Sequence, residues 1–121
     1  MTDHIKRHDE SQEYFFEEGC HIIEVSNSEQ DPELSVARAR LEPGKTTAWH
    51  RLNGCQERYV VLAGSGIVQV GDNEPQQVNT GDVVIIPAGV RQRIYNDQTS
   101  DLLFLALCTP RFEPRYYEAI E

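Results

Sequence analysis

The sequence predicts an all-β fold of the sandwich or barrel class, and three observations carry that prediction. Apolar residues gather into short runs, as in Val60-Val61-Leu62, at 83–86 and at 102–107. Turn-forming clusters interrupt these runs at roughly ten-residue intervals, the spacing of short strands in sandwiches and barrels. Hardly any stretch repeats its apolar residues with a helical period. A chain of 121 residues has the size of one domain, and at that length roughly two-thirds of the unfolded surface can be buried around one core.

Taken in chain order, residues 1–12 are polar and expected to be mobile, ahead of a single domain over 13–121. Strands are expected at 14–16, 21–25, 34–41, 46–52, 57–62, 67–70, 76–78, 83–86, 90–95 and 102–108. The punctuation between them is Asp31-Pro32, Pro43-Gly44, Asn53-Gly54, Gly64-Ser65-Gly66, Gly71-Asp72-Asn73, Thr80-Gly81-Asp82, Pro87-Ala88-Gly89 and Asn96-Asp97. Such residues supply the backbone angles that tight turns require. Only 116–120 is expected to close as a short helix. Several strands are apolar on both faces, so a second sheet, an N-terminal strand or another subunit must cover the outer one; a homodimer is expected.

The formal net charge is −9, and much of it lies early. Asp9, Glu10, Glu13, Glu17, Glu18, Glu24, Glu29, Asp31 and Glu33 stand with no Lys or Arg among them. Phosphate backbones are repelled by such a surface, which argues against a nucleic-acid partner; the plainest reading is a solvated face. The beginning of the chain carries no apolar stretch of the signal-peptide kind, and no run approaches bilayer-spanning length. A cytoplasmic location with no membrane partner is expected. Cys20, Cys55 and Cys108 are far apart and not spaced as zinc ligands, so reduced thiols are expected. Cys108 ends an apolar run and reads as buried, whereas Cys55 lies in a turn-like segment where a reactive thiol is the alternative.

One segment and its sequel carry a more specific signal. Gly44-Lys45-Thr46-Thr47-Ala48-Trp49-His50-Arg51-Leu52-Asn53-Gly54-Cys55-Gln56-Glu57 continues to Gly64, and further on Gly81, Pro87, Gly89, Gln92 and Asn96 keep a second fixed spacing. In order and spacing these resemble the two motifs of the cupin superfamily, with Leu52 and Gln92 standing where histidines belong. The resemblance covers about half of the chain and implies a cupin-type double-stranded β-helix, a jelly-roll barrel. It further implies a divalent transition metal (Mn, Fe, Ni or Zn) held by His50, Glu57 and, through its amide oxygen, Gln92, with no organic cofactor.

Strand parity reads the same residues independently. Side chains alternate across a strand, so His50 shares a face with Leu52, Glu57 with Tyr59 and Val61, and Gln92 with Ile94 and Asn96. If these look inward, Trp49, Arg51, Arg58, Arg91 and Arg93 look outward, which leaves an anion clamp with little support. A His and a Glu among apolar neighbours need each other, water or a metal as partner. Either a metal centre or a metal-free hydrogen-bonded pair satisfies that need. His21 could supply a missing imidazole or simply be satisfied elsewhere; His4 and His8 read as solvated. Tyr59 beside the pocket reads as a catalytic acid or orienting group alongside Glu57, or as a core tyrosine with one partner.

The resemblance thus points to a metal-dependent enzyme acting on a small polar organic molecule of the sugar or keto-acid type. An isomerase or lyase is favoured over a dioxygenase because the histidine set is depleted. The alternative is a non-catalytic binding or sensing module for a small-molecule ligand, and a third reading is a structural dimer.

Overall fold

The computed structural model describes residues 4–121. Among the described residues eleven strands form, all paired antiparallel: β1 (Tyr14–Phe15), β2 (His21–Ser26), β3 (Ser35–Leu41), β4 (His50–Leu52), β5 (Gln56–Ala63), β6 (Ser65–Val70), β7 (Gln76–Asn79), β8 (Val83–Ile86), β9 (Gln92–Tyr95), β10 (Leu102–Thr109) and β11 (Tyr117–Ala119). They make a six-stranded sheet in the order β1-β2-β3-β10-β5-β8 and a five-stranded sheet in the order β11-β4-β9-β6-β7. The two sheets face each other across one apolar cluster. Leu41, Tyr59, Val61, Ile86 and Phe104 come from the first sheet, and Val68, Val78 and Ile94 from the second. Burial alternates along β5, where Glu57, Tyr59 and Val61 are buried between less buried neighbours. That period of two is what a sheet with one face on a core imposes.

Between β5 and β6 the chain turns at Gly64, whose φ of +88 lies where L side chains are strained. Two residues on, Gly66 is required for a different reason: a Cβ there would stand 2.8 Å from the Tyr95 carbonyl oxygen on the neighbouring strand.

The short helix expected at 116–120 does not form. Pro114 opens a single 3-10 turn, Pro114–Tyr116, after which Tyr117–Ala119 runs as β11 against β4, with Ala119 opposite His50 and Tyr117 opposite Leu52. The open edge of β4 offers a hydrogen-bond ladder that a short isolated helix cannot match, and the Arg51–Glu118 ion pair, 2.9 Å, reinforces it. The strand expected over 46–52 is also shorter. Its first half crosses to β9 through Thr47, whose N–H donates to the Ile94 carbonyl at 2.9 Å and whose hydroxyl accepts from the Ile94 N–H at 3.0 Å.

Part of the early acidic run is neutralised within the chain. Glu13 bridges Arg38 and Arg40 on β3 at 2.8 and 2.7 Å, and Glu10 reaches Arg38 at 3.1 Å. The outer face of the six-stranded sheet keeps Leu62, Val83 and Ile85 exposed. Among the described residues, no helix is long and apolar enough to cross a membrane.

Candidate functional site

One end of the space between the sheets is open, forming a cleft. Its wall includes Glu18, Ile22, Glu24, His50, Glu57, Ala106, Cys108 and the rings of Tyr14, Phe16, Phe112 and Tyr117. His50 and Glu57 therefore look into one cavity, from the first residue of β4 and the second of β5.

His50 is 1% exposed. Its Nδ1 lies 2.7 Å from the Ala48 carbonyl oxygen; a carbonyl only accepts, so Nδ1 carries the proton and Nε2 presents a lone pair. The ring stacks on Tyr117 at 5.3 Å between centroids, and Phe16 meets Tyr117 edge-on at 5.0 Å. Burial holds His50 below the usual imidazole range, against the opposing pull of the Ala48 bond and the Glu57 charge. The carboxyl nearest Nε2 is that of Glu18, at 3.7 Å, contributed by the turn between β1 and β2. Among the described residues no His50–Glu57 contact within hydrogen-bonding distance exists, so the two share the cavity without forming a direct pair.

Glu57 Oε1 accepts from the Gln92 amide nitrogen at 2.8 Å, and the Gln92 amide oxygen accepts from the Tyr59 hydroxyl. Donation runs one way, from Tyr59 through Gln92 to Glu57. Gln92 and Tyr59 stand behind Glu57 and are absent from the cavity wall. Tyr59, expected as a catalytic acid or orienting group or as a core tyrosine with one partner, has its hydroxyl bonded to Gln92 and lies off the cavity wall. Among the described residues, the second Glu57 oxygen meets only the Cys108 thiol, at 3.9 Å. Burial, and then the neighbouring Glu18 charge, push Glu57 up to about 7. Glu18 is likewise pushed up to about 7 by burial, with the Cys20 thiol hydrogen bond opposing and Glu17 assisting. Burial disfavours an ionised carboxylate wherever no cation compensates it.

The ligand set that the resemblance implies does not fit a metal here. Gln92 would have to turn its amide oxygen toward the ion, yet that oxygen already takes the Tyr59 proton and the amide nitrogen is bonded to Glu57. Leu52 packs with Cys55, Cys108, Phe112 and Tyr117 in an apolar cluster and has no donor atom. Among the described residues, no group of three His, Cys, Asp or Glu side chains comes together in a way that could hold an ion.

His21 does not supply the missing imidazole, since its Nε2 pairs with Glu42 at 2.7 Å outside the cavity. Cys55 lies in the apolar cluster at 2% exposure rather than in an open turn, and all three cysteines are free thiols. The outward parity of the arginines and Trp49 is observed. Arg91 and Arg93 stack on Trp49 at 4.2 and 4.4 Å, Arg51 binds Glu118, Arg58 binds Thr109, and none of them lines the cavity. Glu18 and Tyr117 escaped the sequence reading. Glu18 sits in an acidic run whose members look alike in one dimension, and Tyr117 lies on the segment expected to be helical.

Comparison with known proteins places this geometry. Residues 37–108 match the family described as "Cupin domain". An uncharacterized protein of Methanocaldococcus jannaschii is 28% identical over 116 residues, covering 94% of this chain and 92% of that protein. An oxalate-binding protein of Thermotoga maritima is 32% identical over 71 residues, 59% of this chain and 58% of its own length. Among solved structures, Streptomyces PAC13 with uridine superposes with a TM-score of 0.80 at 16% identity, covering 100% of this chain and 93% of that one; at that identity the likeness is one of fold.

Proposed function

This chain belongs to the cupin family, and from that premise we propose that it is a redox-neutral enzyme performing acid–base chemistry on a small organic molecule in the Glu18–His50–Glu57 cavity. The observation that carries the reading is the His50 Nε2 lone pair. It belongs to a 1% exposed side chain, is fixed by the Ala48 bond, and lies on the wall of an open cavity with the Glu18 carboxyl 3.7 Å away. A neutral imidazole with a free lone pair is a competent base near neutral pH, and a carboxyl titrating near 7 is a competent acid there. His50 takes a proton from one atom of the ligand while Glu57 or Glu18, protonated, returns one to another. The net result is isomerisation or, where the protonated atom leaves as water, elimination. Tyr59 and Gln92 hold Glu57 in place and are positioning residues.

The oxalate-binding relative suggests a small dicarboxylate, and the motif resemblance a sugar or keto acid. The wall argues against an anionic ligand: among the described residues it carries Glu18, Glu24 and Glu57 and no Lys or Arg. Arg111 reaches the rim only through Asn27, at 2.9 Å. No step is assigned to a metal, because the donor set does not fit one.

The test is proton exchange. The full chain is incubated in D2O with a panel of small carbonyl compounds, sugars and amines while C–H signals are followed by NMR. Catalysed loss of a signal, abolished in His50→Gln and in Glu57→Gln, is the expected result. A compound that binds and emerges unaltered, with no exchange anywhere in the panel, would replace this reading with that of a binding module. A second copy of the chain covering the exposed Leu62, Val83 and Ile85 belongs to the same proposal, and sedimentation equilibrium of the full chain reads it directly.

A further inference from the structure

The charged and unpaired groups on the cavity wall are chiefly acceptors, beside the hydroxyls of Tyr14 and Tyr117, which can donate or accept. Two of the wall's neutral polar side chains are engaged by the protein: the Asn27 amide nitrogen donates to the Phe112 carbonyl at 2.8 Å and its oxygen accepts from Arg111, while the Ser35 hydroxyl accepts from the Phe112 N–H at 2.9 Å and keeps its own proton. The acceptors left open are His50 Nε2, a Glu57 oxygen whose contact among the described residues is a thiol, and the carboxyls of Glu18 and Glu24 on the same wall. The Nε2 of a 1% exposed histidine on the cavity wall, with no hydrogen bond of its own among the described residues, calls for a donor from whatever enters.

Around these acceptors stand Tyr14, Phe16, Phe112 and Tyr117. Phe16 and Tyr117 form an edge-to-face pair beside His50. Aromatic faces carry negative potential and attract a cation seated over them, and carboxylates in a poorly solvated pocket do so more strongly than in water. Resting on the reading of this cavity as the ligand site, we propose that its ligand is a small organic cation, an ammonium or amidinium group on a flat apolar body. The cationic end lies between Glu18 and Glu57 and donates to His50 Nε2 or to the carboxylates. The apolar body packs against the aromatic rings and the Ile22–Ala106 wall.

Three probes of one size and shape separate the possibilities: benzylamine, benzyl alcohol and benzoate, titrated into the full chain by calorimetry and ligand-observed NMR. At about pH 8 the carboxylates are ionised and benzylamine is still protonated. Benzylammonium is expected to bind at least about ten-fold more tightly than benzyl alcohol, with benzoate showing no binding up to about 10 mM. Glu18→Gln is expected to remove most of the preference for the amine over the alcohol; Glu24→Gln does the same more weakly, so one poorly folding variant does not decide the matter. Benzoate binding as well as the amine, equal affinities for all three, or no binding of any would overturn the proposal. Cation binding with no proton exchange in D2O would leave it standing and remove the acid–base reading, whereas turnover confined to a neutral or anionic compound would do the reverse.

Discussion

The two ends of the space between the sheets are built on the same strands and differ in almost every physical property. Along β5, Glu57 faces the cavity, and two and four residues later Tyr59 and Val61 lie in the core at 2% exposure each. Along β10 the order is reversed: Leu102 and Phe104 are in the core, and Ala106 and Cys108 line the cavity. Inward parity runs unbroken through both ends, and only the residue type changes. The core end closes on itself with large apolar side chains and supplies the favourable burial. The cavity end keeps two carboxyls and an imidazole out of water, an arrangement that opposes folding unless a ligand compensates it. A single pair of sheets thus places the residues that stabilise and the residues that react on one continuous face.

That contrast can be broken from the core end with the largest effect. Phe104→Ala empties the space against Tyr59, its ring neighbour at 4.5 Å, and should cost about 3–5 kcal/mol in urea denaturation. A loss below about 1 kcal/mol would mean that this end is not the densely packed half.

From the cavity end, Leu52→His combined with Gln92→His gives the site three imidazoles and Glu57. It should raise affinity for Ni or Zn on the order of 100-fold over the parent chain by calorimetry. An unchanged affinity would show that positions 52 and 92 do not face the ion position that the motif spacing implies.

The smallest effect lies in the pH dependence. Glu18 and Glu57 titrate near 7 in the folded chain against an ordinary value of 4.5, so over that interval the native state binds more protons than the unfolded one. Their contribution to stability is complete below 4.5 and is lost as pH rises through about 7. The slope is at most about 1.4 kcal/mol per pH unit for each whole proton. His50, held below 6.5, works in the opposite sense as pH falls. The contribution of Glu18 is therefore read as the difference between the parent chain and Glu18→Gln, which should lose part of the decline between pH 4.5 and 7. Identical pH profiles would remove Glu18 from the buried carboxyl pair.

Most of the strand positions along the chain were legible because alternation and turn chemistry are local. Glycine and proline punctuation marked nearly every connection, and parity along 57–61 and 92–96 correctly separated inward from outward side chains, arginines included. Three things were not legible. The turn carrying Glu18 folds over the mouth of the cavity, a placement that depends on the Ala48 N–H bonding the Glu18 carbonyl at 2.7 Å. The last residues form a strand instead of a helix because β4 left an edge free. Gln92, readable as a ligand from its motif position, is committed at both ends of its amide to Tyr59 and Glu57.

The all-β class and the alternation of inward and outward faces were readable from a repeat of two and from turn residues close along the chain, whereas the meeting of His50 with Glu57 in one interior was what the motif resemblance implied. Which carboxyl faces His50, where the Gln92 amide spends its oxygen and what closes the cavity were set by packing between distant segments. Those outcomes depend on hydrogen bonds and ring contacts between segments distant in sequence, and no local propensity encodes which of several chemically equivalent partners arrives.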